Sequence, residues 1–470
     1  MTRPQTTRLL IFLATITFIV TGTIFTIRYA KGYRPTSAGT IKGTGLLAAN
    51  SFPNGAEVYI NDKLTSATDT TLNLDPEKYL VEIKKDGFFT WSKTLTIKEE
   101  LVTQTNATLF PTSPALQPLT FTGAVNPVPS SDGNKIVFTV ASASATTKNG
   151  LYVQDLSSSP ISVNKSARQI ARNTTEYNYS NATYTWSPNT SQILISFKNN
   201  SNILLEADRF NDSSGITDVT VRLPQIFREW EEELARTERV KLAKLPEFFQ
   251  PLVTLSSSSS PSLTNLYFSP DGEKILYQAT DNFSIPQGLV PELPSSSTQS
   301  ETREVIASNW YVYDLKEDKN FFLSIGTLPS PVASPNLNSK TPEKILFSPT
   351  KLALLEDLKP LPPVELASSP SAYKRLQNNY SIPESISLFN AQYSSIYVDD
   401  IQWFPDSTHL IISTKTGIDV VEYDATNRTT LYAGPFDSSF VYPWPDGSRL
   451  ITLIQFSPDV SPNLYTIKLK

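Results

Sequence analysis

The side chains that most often carry catalysis are scarce in this chain. It has one histidine, His409, and no cysteine. Multi-histidine metal sites, thiolate zinc sites, iron–sulfur clusters, cysteine nucleophiles and a disulfide framework are therefore excluded. Any Ser-His-Asp relay has to pass through His409. No Gly-x-Ser-x-Gly elbow, phosphate-binding glycine loop, EF-hand loop or Ser-x-Asp-x-Gly-x-Thr-Trp box occurs. His409 opens the apolar strand HLII at a position filled by Lys274 and Arg449 in sister segments, which marks a turn-flanking position, not a base set apart. The expectation is no catalytic residue, no metal ligand and no cofactor. Two features remain that could mark a ligand-binding face. Asp399 and Asp400 precede Trp403 without an obvious structural need; the alternative is that one or both cap a turn. Trp186, Trp403 and Trp444, with Phe268, stand at or beside equivalent turn positions. Their recurrence favours packing between repeats over a carbohydrate-stacking platform. Asp399, Asp400 and Trp403 are the candidate ligand-binding residues.

The turns belong to a repeated phrase: a proline, an Asp- or Asn-centred turn, then a strongly apolar strand. It reads PSSDGNKIVFTV (129–140), WSPNTSQILISF (186–197), FSPDGEKILYQA (268–279), WFPDSTHLIIST (403–414) and PWPDGSRLITLI (443–454). Proline presets φ at the turn entry, Asp or Asn bonds its own backbone, Gly takes a positive-φ position, and the strand that follows is buried on both faces. Several copies are followed by a second strand ending in an acidic turn, at 150–156, 309–323, 418–432 and 463–469. A strand–turn–strand unit repeated at roughly 40 residues or more is the pattern of a propeller blade. The phrase resembles the repeats of TolB-like and WD-type propellers, in which Ser-Pro-Asp-Gly precedes the second strand of a blade. The phrase prolines stand at 129 (opening its turn), 188, 270, 405 and 445, so only the last interval is a bare blade and the 82- and 135-residue intervals carry insertions. About six blades are expected, with five or seven allowed. The chain ends on the strand 463–469, and residues 116–123 are expected to supply the missing outer strand that closes the ring.

Ahead of the repeats, residues 45–110 alternate in short strands, with Ala56/Val58/Ile60, Leu72/Leu74, Tyr79/Val81/Ile83 and Leu95/Ile97 at period two and turns at Pro53-Asn54-Gly55 and Asp86-Gly87. These residues resemble the PEGA family, a small Ig-like sandwich of bacterial and archaeal surface proteins. The eponymous tetrapeptide is Pro53-Asn54-Gly55-Ala56, departing at its second position. The Pro-Gly-x-Tyr turn is Pro76-Glu77-Lys78-Tyr79, without its glycine, and the Lys-x-Gly-aromatic feature is Lys85-Asp86-Gly87-Phe88, followed by Trp91. The resemblance implies a fold and a surface setting, and no chemistry.

Residues 9–27 hold no charge: thirteen are apolar, five are threonines and one is Gly22. Nineteen helical residues at about 1.5 Å each cover roughly 30 Å, the hydrocarbon thickness of a bilayer, and threonine hydroxyls can bond back to the helix backbone. A cleaved signal peptide is disfavoured because Arg28 stands two residues before Ala30, where a small residue is wanted. An uncleaved single-span anchor is expected, touching the lipid bilayer through residues 9–27. Arg3 and Arg8 lie before the span and Arg28, Lys31 and Arg34 after it, which leans against an outside body. A cysteine-free body rich in Ser, Thr and Pro favours one, and the bulk is placed outside the cytoplasm.

With 470 residues, two or three domains are expected, and a formal charge of −5 is unsuited to nucleic acid. The expected fold class is all-β: residues 1–30 a stub and transmembrane anchor, 44–110 a PEGA-like β-sandwich, and 116–470 a propeller with insertions at about 221–262 and 324–390. Residues 223–250 read as helical, with Ile226, Phe227, Trp230 and Leu234 on one face: either an amphipathic helix folded on the propeller's flank or a projecting arm for a partner. The tracts 255–264, 291–300 and 360–371 are Ser- and Pro-rich loops. Together these features lead to a non-enzymatic, membrane-anchored cell-envelope protein whose propeller binds envelope proteins. The second reading is a cell-wall or glycan-binding surface module. The third is a polysaccharide hydrolase or lyase working with carboxylates at the propeller mouth.

Overall fold

A computed structural model describes residues 3–30, 33–35, 41–157, 166–253, 263–291, 293, 297–325 and 401–470. Helix α1 (Arg3–Ala30) contains a stretch, Leu9–Arg28, long and apolar enough to cross a membrane, and none of that stretch is buried within the molecule. Its threonines behave as the span needs. The Thr15, Thr17, Thr21 and Thr26 hydroxyls donate to the carbonyls of Ile11, Leu13, Thr17 and Gly22 at 2.7–2.9 Å, so no hydroxyl among these four demands a partner from lipid.

Two compact units make up the chain: residues 1–113 with 292–300, and 114–291 with 301–470. The first holds a β-sandwich. One sheet orders Val102–Gln104, Gly45–Ala49 and Thr70–Leu74; the other orders Lys63–Ala67, Glu57–Ile60, Lys78–Lys84 and Trp91–Thr96. The alternation seen in sequence is the pleat. Leu47 and Ala49 from one sheet meet Val58, Ile60, Val81, Ile83, Trp91 and Leu95 from the other in a single core. The Asn54-Gly55 turn is clasped by Lys85, whose Nζ donates to the carbonyls of both residues at 2.9 and 3.3 Å.

In the second unit five antiparallel sheets of three or four strands are present among the described residues, beside a two-stranded ladder of Phe283–Ser284 with Glu304–Val305. Blade 1 is Val125–Pro129, Lys135–Val140, Gly150–Asp155 and Arg168–Arg172; blade 2 has three strands, Thr183–Trp186, Gln192–Ser196 and Asn202–Glu206. Blade 3 is Leu263–Phe268, Lys274–Ala279, Trp310–Asp314 and Lys319–Leu323, and blade 4 is Ile401–Trp403, His409–Ser413, Ile418–Glu422 and Thr429–Tyr432. Blade 5 is Val441–Pro443, Arg449–Ile454 and Asn463–Lys468, completed by Leu116–Pro118. That last pairing closes the ring as expected, with Leu116 opposite Ile467 and Pro118 opposite Tyr465.

About six blades were expected, with five or seven allowed, and five sheets of three or four strands lie among the described residues of this unit. The interval between blades 2 and 3 is filled by helices: α2 (Leu223–Leu242) and the short α3 (Gln250–Val253). The apolar face of α2, with Leu223, Ile226, Phe227 and Trp230 buried, packs on Leu194 of blade 2. Leu245, Phe249 and Leu252 pack on Ile275, Tyr277, Tyr311 and Tyr313 of blade 3. The α2 face therefore lies against the propeller and does not project. The expected insertion at 324–390 lies almost wholly outside the described residues.

Candidate functional site

Each blade turns from its first to its second strand through the repeated phrase, and five copies share one geometry. An N–H donates three residues back, from Gly133 to Ser130, Thr190 to Ser187, Gly272 to Ser269, Ser407 to Phe404 and Gly447 to Trp444. The Asp or Asn side chain accepts from the N–H two residues on, in Asp132, Asn189, Asp271, Asp406 and Asp446 alike. The residue after it has positive φ in every copy: Gly133, Thr190, Gly272, Ser407 and Gly447, at +57° to +76°. This is a tight hairpin turn whose last residue is left-handed. Ser407 holds its costly conformation for a reason, since its Oγ accepts the Asp271 N–H of blade 3 at 3.0 Å.

The first strands run side by side around the axis. The Trp186 indole N–H donates to the Val128 carbonyl of blade 1 (3.1 Å), and the Trp403 indole N–H donates to the Tyr267 carbonyl of blade 3 (3.2 Å). Gln402 Nε2 donates to the Val441 carbonyl of blade 5, and the Tyr442 hydroxyl donates to the Gly133 carbonyl of blade 1. The tryptophans thus join blades, as their recurrence implied. Trp444 is half-buried, with the Arg449 guanidinium 4.7 Å above its ring.

Where these strands end, a cavity of about 390 Å³ opens. Blade 1 contributes Asp132 and Gly133, blade 3 contributes Leu266–Pro270 and Leu276, blade 4 contributes Gln402, Trp403 and Pro405, and blade 5 contributes Tyr442, Pro443 and Pro445. Lys241 of α2 completes the wall. Partial desolvation pushes the Asp132 carboxyl up, but the Ser130 hydroxyl, the Asn134 N–H and side-chain amide, and the Lys135 charge outweigh it and hold the group below the ordinary carboxylate range. Burial pushes the Tyr442 phenol up, aided by the Asp132 charge, and keeps it neutral. Gln402 is 5% exposed, and its Oε1 has no hydrogen-bond partner among the described residues.

Of the candidate residues, Trp403 lines this cavity, while Asp399 and Asp400 lie outside the described residues. His409 is buried at 3% exposure, with Nδ1 2.7 Å from Asp406 Oδ2. Desolvation raises the Asp406 carboxyl, but His409 and the Thr408 N–H outweigh it and hold the pKa low. The histidine braces its own turn. Among the described residues no cluster of three or more His, Asp or Glu is placed to hold a metal. Sequence reading missed Gln402, Lys241, Tyr267 and Tyr442. The one signal was Gln402 itself, a polar residue in an apolar first strand.

No curated protein matches the chain in sequence. Among solved structures, it is similar to a putative TolB from Agrobacterium tumefaciens, at 10% identity over 75% of this chain and 73% of that one, with a TM-score of 0.18. It is also similar to the Cps50 (Swd1) β-propeller domain of Myceliophteria thermophila, at 9% identity over 76% and 100% of the two chains, TM-score 0.25. A manganese-bound oligogalacturonate lyase aligns at 9% identity over 84% and 86%, TM-score 0.24. Likenesses of that degree transfer neither ligand nor activity. Residues 44–113 match the PEGA domain model, and the chain is a mostly β protein in which an apolar N-terminal helix, a PEGA sandwich and a β-propeller follow one another.

Proposed function

We propose that this protein is a single-pass, membrane-anchored envelope protein that performs no catalysis and uses its propeller to recognise a protein partner outside the cytoplasm. The observation that supports recognition most is the convergence of four blades and α2 on one cavity whose wall is chiefly proline, aromatic and aliphatic. Cavities of this kind suit ligand binding, with a few polar groups fixing orientation. Anchoring is supported by α1, whose apolar side chains, such as Leu10 at 69% and Phe18 at 78% exposure, have no cover within the molecule. The PEGA unit, which follows the anchor and precedes the propeller in the chain, then serves as a spacer or wall-proximal module. Glycan binding has less support, because Trp186 is buried, Trp403 is tied to Tyr267 and Trp444 lies beneath Arg449.

The full chain in lipid nanodiscs, presented with envelope fragments, tests the recognition. Protease treatment of the fragments should abolish binding, and glycosidase treatment should leave it intact. The reverse result rejects a protein partner in favour of a glycan. For the anchor, deletion of residues 1–30 should release the protein from carbonate-washed membranes.

A further inference from the structure

We infer that the edge strand Trp91–Thr96 of the sandwich is a pairing surface for a second copy of this chain, held shut by Thr298 and Gln299. Of the four strands at the edges of the sandwich's two larger sheets it is the longest, and its ladder with Lys78–Lys84 runs through six consecutive pairs. Lys63–Ala67, at the other edge of the same sheet, is five residues long and its ladder shifts register. A long regular edge offers main-chain N–H and C=O groups to any strand that meets it. Here a segment remote in sequence stands on that edge. Thr298 Oγ1 accepts the Thr96 N–H at 3.2 Å and donates to the Thr94 carbonyl at 3.4 Å, and Gln299 Nε2 donates to the same carbonyl at 3.0 Å. These bonds come from side chains, so the segment covers the edge without extending the sheet.

The covering segment belongs to an excursion that leaves the second unit at residue 291 and returns at 301. Both stems are fixed in that unit. Phe283–Ser284 pairs with Glu304–Val305, the Gly288 and Leu289 N–H groups donate to Asp318 Oδ2 at 2.8 and 3.1 Å, and Arg303 donates to Asp318 Oδ1 at 3.0 Å. Fixed stems lower the entropy lost in holding the tip, which favours bonds that would be marginal for a free loop. Register decides what else fits the edge. The Thr96 N–H and Thr94 carbonyl point away from Lys78–Lys84, so strand alternation turns the main-chain groups of Ser92, Thr94 and Thr96 to the open side. Antiparallel pairing of two copies with Thr94 opposite Thr94 sets Ser92 opposite Thr96, and each pair exchanges both of its bonds. Lys93, the one charge in the strand, then stands opposite Leu95 of the second copy, so no like charges meet directly. One patch serves both copies, as a two-fold interface requires. The remaining argument rests on the anchored reading above: α1 confines copies to one surface and raises their effective concentration.

The chain has no cysteine, so a single introduced thiol reports pairing without background. Thr94→Cys sets two thiols across the two-fold, where facing Cα atoms lie about 5.5 Å apart, within disulfide reach. Asp86→Cys, on an exposed turn, is the control for random collision. The full chain carrying each change is reconstituted in liposomes, oxidised with copper phenanthroline and followed on non-reducing gels. With Thr298 and Gln299 in place, Thr94→Cys should dimerise no faster than Asp86→Cys. Adding Thr298→Val and Gln299→Ala should speed crosslinking of Thr94→Cys by about tenfold, the loss of the covering bonds, and leave Asp86→Cys unchanged. If Thr94→Cys dimerises as fast with the cover as without it, Thr298 and Gln299 do not hold the edge shut and the inference falls. Uncovered Thr94→Cys that stays at the control rate overturns the pairing surface. If the uncovered variant fails to fold, amide hydrogen exchange on the wild type decides. The Thr96 N–H, held by Thr298, should exchange more slowly than the Thr94 N–H, and equal rates overturn the inference. Protein that fails to float with the liposomes rejects the anchored reading, whereas the crosslinking rates of floated protein decide the pairing.

Discussion

Replacing Thr120 with valine should loosen the closure of the propeller ring. Thr120 is 8% exposed; its Oγ1 donates to Asn463 Oδ1 at 3.0 Å and accepts the Leu464 N–H at 2.9 Å. Leu464 is fully buried, and its carbonyl faces the same way, accepting from the N–H groups of Leu119 and Thr120. Valine keeps the shape and removes the oxygen. The Leu464 N–H then has no acceptor, at about 1–3 kcal/mol, and the bond to Asn463 is lost, at about 1 kcal/mol, for a total of about 2–4 kcal/mol. In a propeller of this size that corresponds to a fall in Tm on the order of 5 °C. Thr120→Ser keeps the hydroxyl and should retain most of the stability. Thermal unfolding followed by near-UV circular dichroism measures both. A valine variant that melts with the wild type, or a serine variant that falls as far as the valine one, refutes the argument that this hydroxyl holds the closing strand.

Other residues offer independent tests. Asp406→Asn should destabilise blade 4 at neutral pH. Because the Asp406 pKa is lowered by folding, its contribution is full above the unfolded carboxylate value of about 4 and fades as pH falls below it, so denaturant unfolding of variant and wild type should converge in acid. Gly133→Ala combines a φ of +76° with a Cβ 2.5 Å from the Tyr442 hydroxyl. The left-handed backbone alone costs about 1–2 kcal/mol, and the variant should lose more than Tyr442→Phe, which gives up one hydrogen bond; equal losses would sink the steric argument. Trp230→Ala should remove about 3–5 kcal/mol of packing between α2 and blade 2 and open α2 to proteolysis, whereas an unchanged digestion pattern would mean the helix is held elsewhere.

Local chemistry carried most of what could be read in advance. The Asp and Asn turns, the left-handed residue after each and the buried strand beyond follow from neighbours within a dozen residues. The outer strand supplied by Leu116–Pro118 was legible because a last blade ending on its third strand needs a fourth. The sandwich core was legible from period-two alternation, as Val58, Ile60, Val81 and Ile83 bear out. What could not be read is whatever depends on residues far apart. The cavity joins positions 132, 241, 267, 402 and 442, and no local pattern couples them. Gln402 stood one residue from the singled-out Trp403, yet its unpartnered oxygen is a property of the assembled ring.

The central claim is that an outward-facing propeller recognises a protein. The most direct measurement is crosslinking in intact source cells with a membrane-impermeant, amine-reactive reagent, followed by mass spectrometry of the purified protein. The account expects exposed propeller lysines such as Lys316, at 60% side-chain exposure, to react in intact cells and to join one or two defined envelope proteins. Propeller lysines that react only after lysis, or that never join another protein while the chain is abundant, would contradict it.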